Sequence, residues 1–215
     1  MLKLSWQHLV LNTRCSWLHG DPRGFRSRGH RMHSSGDYKN PPPRGEHVAL
    51  WQYHQARSAK AVEFEVAVRI RIVCEFVTKM LAMSFRIIAC SCGREHLHAL
   101  AEAPSNYGEL RRVIGKCKLR ASHAVRDELP GGIWAAGFAP EKIRDLGHLR
   151  NAYNYIRTKQ EPGTVVWSHR PDEDWIGHPE VGVVLMQRAR NAIRVFGVPQ
   201  TPASEVLRRA GSDGK

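Results

Sequence analysis

The chain has 215 residues, 42% of them hydrophobic and 25% charged, which is the balance of a folded protein with one solid core rather than a disordered or fibrous one. Its 33 Lys and Arg against 20 Asp and Glu leave a formal charge of +13, an excess that points to an acidic partner, nucleic acid first. No run of about 18 apolar residues is present to span a bilayer, and the basic residues are scattered, so a membrane is set aside as a partner.

The opening Met-Leu-Lys-Leu-Ser-Trp-Gln-His lacks the apolar core and cleavage site of a secretory signal. Cys15, Cys74, Cys90, Cys92 and Cys117 form an odd set without disulfide-like or zinc-like spacing. A reducing, cytoplasmic setting is expected, with the protein associated with the nucleoid. Cys90 and Cys92 read as packed thiols rather than a metal pair.

Residues 8–18 mix β-branched, aromatic and apolar side chains and are expected to form a first strand. From Gly20 to Arg44 the chain turns to Gly, Pro and Arg with almost no aliphatic residue, the composition of an irregular basic insertion, taken as extending to about residue 60. Val62 to Val73 first alternates and then carries a helical stripe through Val66, Ile70, Val73, Val77 and Met80, which predicts a short strand leading into a helix. Ser84–Cys92 and His96–Ala101, separated by Gly93, read as a β-hairpin.

Asn106 is positioned to cap a helix from Tyr107 to Arg126 whose Leu110, Val113, Ile114, Cys117 and Ala121 share one face, with Lys116, Lys118, Arg120 and Arg126 on the rest. Ile133–Phe138 is expected to be a short strand, followed by a helix from Glu141 or Asp145 to Lys159 that Pro162-Gly163 stops. A further helix is expected over 181–196. Hairpins and alternating elements predict an α+β fold, an antiparallel sheet with helices packed on it. Its catalytic domain would cover residues 1–166, and a C-terminal extension 167–215.

On a strand His96 and His98 share a face, so two imidazoles can hold one cation. With 12 His in the chain, about 0.7 such pairs arise by chance, so alone the motif is weak and reads as two ordinary histidines. Leu100 stands where a histidine-triad hydrolase would need a third alternating His, and neither a zinc-protease motif, a phosphate loop nor a nucleophile elbow is present. In the helix ending at Lys159, Leu146, Leu149, Tyr153 and Ile156 recur at core spacing, while Tyr155 lies about 200° around from Tyr153 and is available for chemistry. A phenol of pKa near 10 attacks a phosphodiester well only if a cation or base assists and the scissile phosphate is neutralised, and a divalent ion on two histidines does the second.

The order of these parts resembles the single-tyrosine HUH transposases, and among them the REP-associated tyrosine transposases. The resemblance runs from about Gln7 to Val166. It rests on Leu9–Gly24 as opening strand and Gly-Asp-x-Arg-Gly-like segment, Phe85–His98 as apolar strand, turn and His-hydrophobe-His, the basic helix with Ile133-Trp134 after it, and Tyr155-Ile-Arg-Thr-Lys-Gln160 as the tyrosine signature.

The resemblance implies a ferredoxin-like or RRM-like HUH fold, His96 and His98 as ligands of Mg²⁺ or Mn²⁺ with Gln160 as third, and Tyr155 as a nucleophile forming a 5′-phosphotyrosine link. It also implies a homodimer acting on single-stranded DNA that carries hairpins. Lys116, Lys118, Arg120, Arg126, Arg23, Arg26 and Arg28 are the expected phosphate contacts, and Trp17, Trp51 or Trp134 candidate stacking platforms. Two departures stand out: Lys159 occupies the place four after the tyrosine where the family often has its polar ligand, and Arg94-Glu95 stand before His96 where it commonly has Asn. A non-catalytic nucleic-acid-binding relative is the alternative. A relaxase or replication initiator fits less well, because there the tyrosine commonly precedes the histidines.

Overall fold

A computed structural model describes residues 2–25, 33–35 and 42–169. The expected helix over 181–196, Arg26 and Arg28 lie outside them. The elements are β1 (Leu4–Asn12), α1 (Val48–Arg57), α2 (Val66–Ala82), β2 (Ile87–Cys92), β3 (His96–Pro104), α3 (Tyr107–Ala124), β4 (Ala139–Lys142), α4 (Leu146–Thr158) and β5 (Val165–Ser168). They build one five-stranded sheet in the order β4-β1-β3-β2-β5, antiparallel throughout. The α+β expectation holds. From β1 to β4 the run is β-α-α-β-β-α-β, a ferredoxin-like β-α-β-β-α-β connectivity with α1 added before α2; α4 and β5 follow it.

Both faces of the sheet are covered, so β2 is buried along its whole length and β3 nearly so. One face carries the larger core: Leu9, Leu11, Leu97, Ala99 and Ala101 from the strands meet Ile72, Phe76 and Met80 of α2 and Leu110, Ile114 and Cys117 of α3. The other face carries α4, where Ile88, Ala89 and Leu100 meet Leu149, Ala152 and Ile156. Asn106 caps α3 by accepting from the Glu109 N–H, and Asp145 caps α4 by accepting from the His148 N–H.

Several boundaries differ from expectation. The first strand starts earlier and stops at Asn12, because the chain turns there and Cys15 takes a left-handed φ of 64°. No strand forms over 62–65: the alternation yields an extended segment with single ties, Val62 N–H to the Arg14 carbonyl and Phe64 N–H to that of Arg94. The insertion is not irregular to residue 60, since α1 occupies Val48–Arg57. Ile133–Phe138 makes one bridge, Thr13 to Trp134, and the strand forms instead at Ala139–Lys142. The Lys118 ammonium explains part of this, because it donates to the carbonyls of Ala135 and Gly137, which a ladder would otherwise use. β5 runs two residues past position 166.

Candidate active site

The β1–β3 register sets His8 opposite Leu100, Val10 opposite His98 and Asn12 opposite His96. Cross-strand partners share a face. Leu9, Leu11, Leu97 and Ala99 belong to the α2/α3 side, so His8, His96 and His98 project toward the α4 side. Tyr155 arrives there from α4. Its ring lies edge-on to His98 with centroids 5.4 Å apart and to His8 at 6.0 Å. His96 and His98 are 4.9 Å apart, centroid to centroid.

His8 was missed in the sequence, and it contacts His98 directly: His8 Nε2 and His98 Nδ1 are 3.0 Å apart, the rings meeting edge to edge with centroids 5.1 Å apart. Behind it, Glu141 Oε2 lies 4.0 Å from His8 Nδ1, and Glu141 Oε1 lies 3.5 Å from His148 Nε2. A lone His on a strand carries no local signature. Only the register, which places position 8 diagonally from position 98, could have found it.

Gln160 joins the group because α4 ends before it. With Lys159 as C-cap, Gln160 folds back so that its Nε2 donates to the Tyr155 carbonyl at 2.9 Å, and its side chain is near enough to His96 to pull that imidazole's pKa upward, against burial. The next residue locks this arrangement to the hairpin. Glu161 Oε1 accepts from the Arg94 N–H at 2.5 Å, in space left by Gly93, where an added Cβ would stand 2.6 Å from that oxygen.

Burial pushes His98 down to about 3, with His96 and His8 acting in the same direction. His96 is lowered by burial against the pull of Glu161 and Glu95, and His8 by burial against Glu141. All three imidazoles are therefore neutral at pH 7 and present lone pairs, the form in which imidazole ligates metals. Two such rings with a carboxamide oxygen form a donor set that fits a divalent ion with open positions. Among the described residues no group of three or more His, Cys, Asp or Glu side chains is arranged to hold a metal, so Gln160 would have to complete the set.

The expected phosphate contacts of α3 are not at this site. α3 packs on the opposite face of the sheet, and Arg120 there pairs with Glu75 at 2.6 Å. Lys118 is held by two backbone carbonyls, and burial lowers it to about 8. Lys116 and Arg126 are exposed, Arg126 beside Asp127. Arg23 is exposed, bonds Asp21, the Ser16 carbonyl and Glu95, lies over Trp17 at 4.4 Å, and is near enough to His96 to help lower its pKa. Trp134 packs on Phe64 and donates to the Lys118 carbonyl. On the site's own side, α4 from Leu146 to Thr158 holds Arg150 and Arg157 and no acidic residue. Lys159 follows it and is exposed, as is Arg150.

No protein-family model matches this chain, and no curated protein matches it. Among solved structures, the chain is similar to a REP-associated tyrosine transposase bound to a REP hairpin, at 14% identity and a TM-score of 0.41, over 74% of this chain and 68% of that one.

Proposed function

We propose that this protein is a metal-dependent single-stranded DNA transesterase, a transposase-like enzyme that cleaves and rejoins DNA through a 5′-phosphotyrosine and recognises hairpins. The observation that carries the reading is the contact of Tyr155, from α4, with His98 of β3, beside which His96 stands, with Gln160 folded back toward the Tyr155 carbonyl. Sequence distance hides this cluster. The hairpin preference, the homodimer and a nucleoid setting come from the sequence resemblance alone.

In this reading His96, His98 and Gln160 would hold Mg²⁺ or Mn²⁺, which would supply charge neutralisation at the phosphate. Tyr155 gives up its phenolic proton and its oxygen bonds to phosphorus as the P–O3′ bond breaks. The 3′ oxygen takes up a proton and leaves as a free hydroxyl. Rejoining is the reverse, attack of a 3′-hydroxyl on the phosphotyrosine, so the energy of the broken bond is kept and no nucleotide cofactor is consumed. The Gln160 and Glu161 contacts hold the end of α4 against the hairpin turn, which orients the phenol.

The test is incubation with hairpin-bearing single-stranded DNA and Mg²⁺ or Mn²⁺, followed by denaturing electrophoresis. A covalent adduct is expected from the wild type and from Tyr153→Phe but not from Tyr155→Phe. A second reading, a nucleic-acid-binding relative without catalysis, rests on the departures near the motifs, Lys159 four residues after Tyr155 and Arg94-Glu95 before His96. Binding without any adduct across a panel of hairpins would decide for it.

A further inference from the structure

The His8–His98 contact chooses between two arrangements of protons. A ligating imidazole offers the lone pair of one nitrogen and carries its proton on the other, and that proton needs an acceptor. His98 Nδ1 faces His8 Nε2 at 3.0 Å, which leaves His98 Nε2 as the nitrogen available to an ion. If His8 donated from Nε2, His98 would carry its own proton on Nε2 and could not ligate. If His8 carries its proton on Nδ1, its Nε2 accepts from His98 Nδ1–H, and the His98 Nε2 lone pair is open.

Glu141 favours the second arrangement. Its carboxylate stands 4.0 Å from His8 Nδ1, too far for a strong hydrogen bond but close enough to attract an N–H dipole there. His8 is also well fixed. Its neighbours Gln7 and Leu9 are buried, its backbone is paired on both sides to β3 and β4, and its ring edge meets that of His98.

We propose that His8, backed by Glu141, is a positioning residue that sets the tautomer of His98 and so presents His98 Nε2 for a divalent cation. The inference rests on the reading of His96 and His98 as ion ligands. His8 takes no part in bond making and does not need to touch DNA. It acts through the orientation and proton of the ligand behind which it stands.

Three forms of the full chain test it: wild type, His8→Phe, which keeps the ring volume without an acceptor, and His8→Gln, whose carboxamide oxygen can still accept. Mn²⁺ affinity is measured by calorimetry, the His98 tautomer by long-range ¹⁵N correlation spectra of metal-free protein, and folding by thermal denaturation. His8→Phe is expected to bind Mn²⁺ roughly 10–100-fold more weakly and to shift His98 toward the Nε2–H form. His8→Gln should stay close to the wild type in both.

Rescue by Gln separates positioning from packing, since a role in packing alone would favour Phe. Wild-type Mn²⁺ affinity in a folded His8→Phe, or an unchanged His98 tautomer, would overturn the proposal while leaving the ion site intact. Failure of the wild type itself to bind Mn²⁺ would overturn both this inference and the reading beneath it.

Discussion

A lysine held between two carbonyls, as Lys118 is between those of Ala135 and Gly137, commits its charge to its own backbone. Burial lowers its pKa to about 8. Between pH 8 and the ordinary lysine value near 10.5 the unfolded chain binds more protons at this position than the folded one, so the contribution of Lys118 to stability rises with pH across that window. Urea midpoints at pH 7.5 and 10 should show the wild type gaining relative to Lys118→Met. Tyr153 offers a similar contrast with its neighbour. Its hydroxyl bonds Ser168 Oγ at 2.7 Å, so Tyr153→Phe should cost about 0.5–1.5 kcal/mol in chemical denaturation, with DNA adduct formation retained. Helical spacing puts Tyr153 and Tyr155 on different faces of α4, yet both are half-buried against the same cluster, a sharing that spacing alone did not reveal. The commitment of Lys118 could not be read either, because nothing local to a basic helix says that a loop 17 residues onward will deliver two carbonyls to one of its lysines.

At the scale of elements, those with local punctuation were legible. Asn106 and Asp145 announced α3 and α4, and Gly93 the hairpin between β2 and β3. Asp145→Ala should lower stability by about 1 kcal/mol and also reduce adduct formation, since α4 carries Tyr155. Asn106→Ala should cost a similar amount without that second effect. Glu161→Ala removes the tie between the end of α4 and the Arg94 N–H, and adduct formation should slow by roughly ten-fold or more with little change in melting temperature. Elements without punctuation were illegible. α1 begins at a left-handed His47 with no side-chain cap and buries no residue. β4, with sequence Ala-Pro-Glu-Lys, is an exposed edge strand whose composition opposes strand formation, and its pairing with Gln7–Val10 of β1 creates it. His8 belongs with these, since its role exists only once β1 and β3 are in register.

For the molecule as a whole, the sheet separates two surfaces that share its excess charge. The histidines and Tyr155 are on one side and α3 on the other, so a strand held at Tyr155 meets Arg150 and Lys159 before it meets Lys116. Replacing Arg150 or Lys159 by Ala should each lower the slope of log affinity against log salt for single-stranded DNA by roughly 1, and Lys116→Ala should leave it unchanged. The sheet also divides the burial unequally. α2 buries nine side chains, whereas α4 is held by Leu149, Ala152 and Ile156. Opening free energies follow such differences in burial. Backbone amides of α4 should therefore exchange with deuterium well before those of α2 and the central strands, through excursions in which the helix lifts while the rest stays folded. Tyr155 thus rides on the helix with the smaller buried face, and the ties of Tyr153 to Ser168 and of Glu161 to the Arg94 N–H take over part of what apolar burial would otherwise supply in keeping its ring against His98.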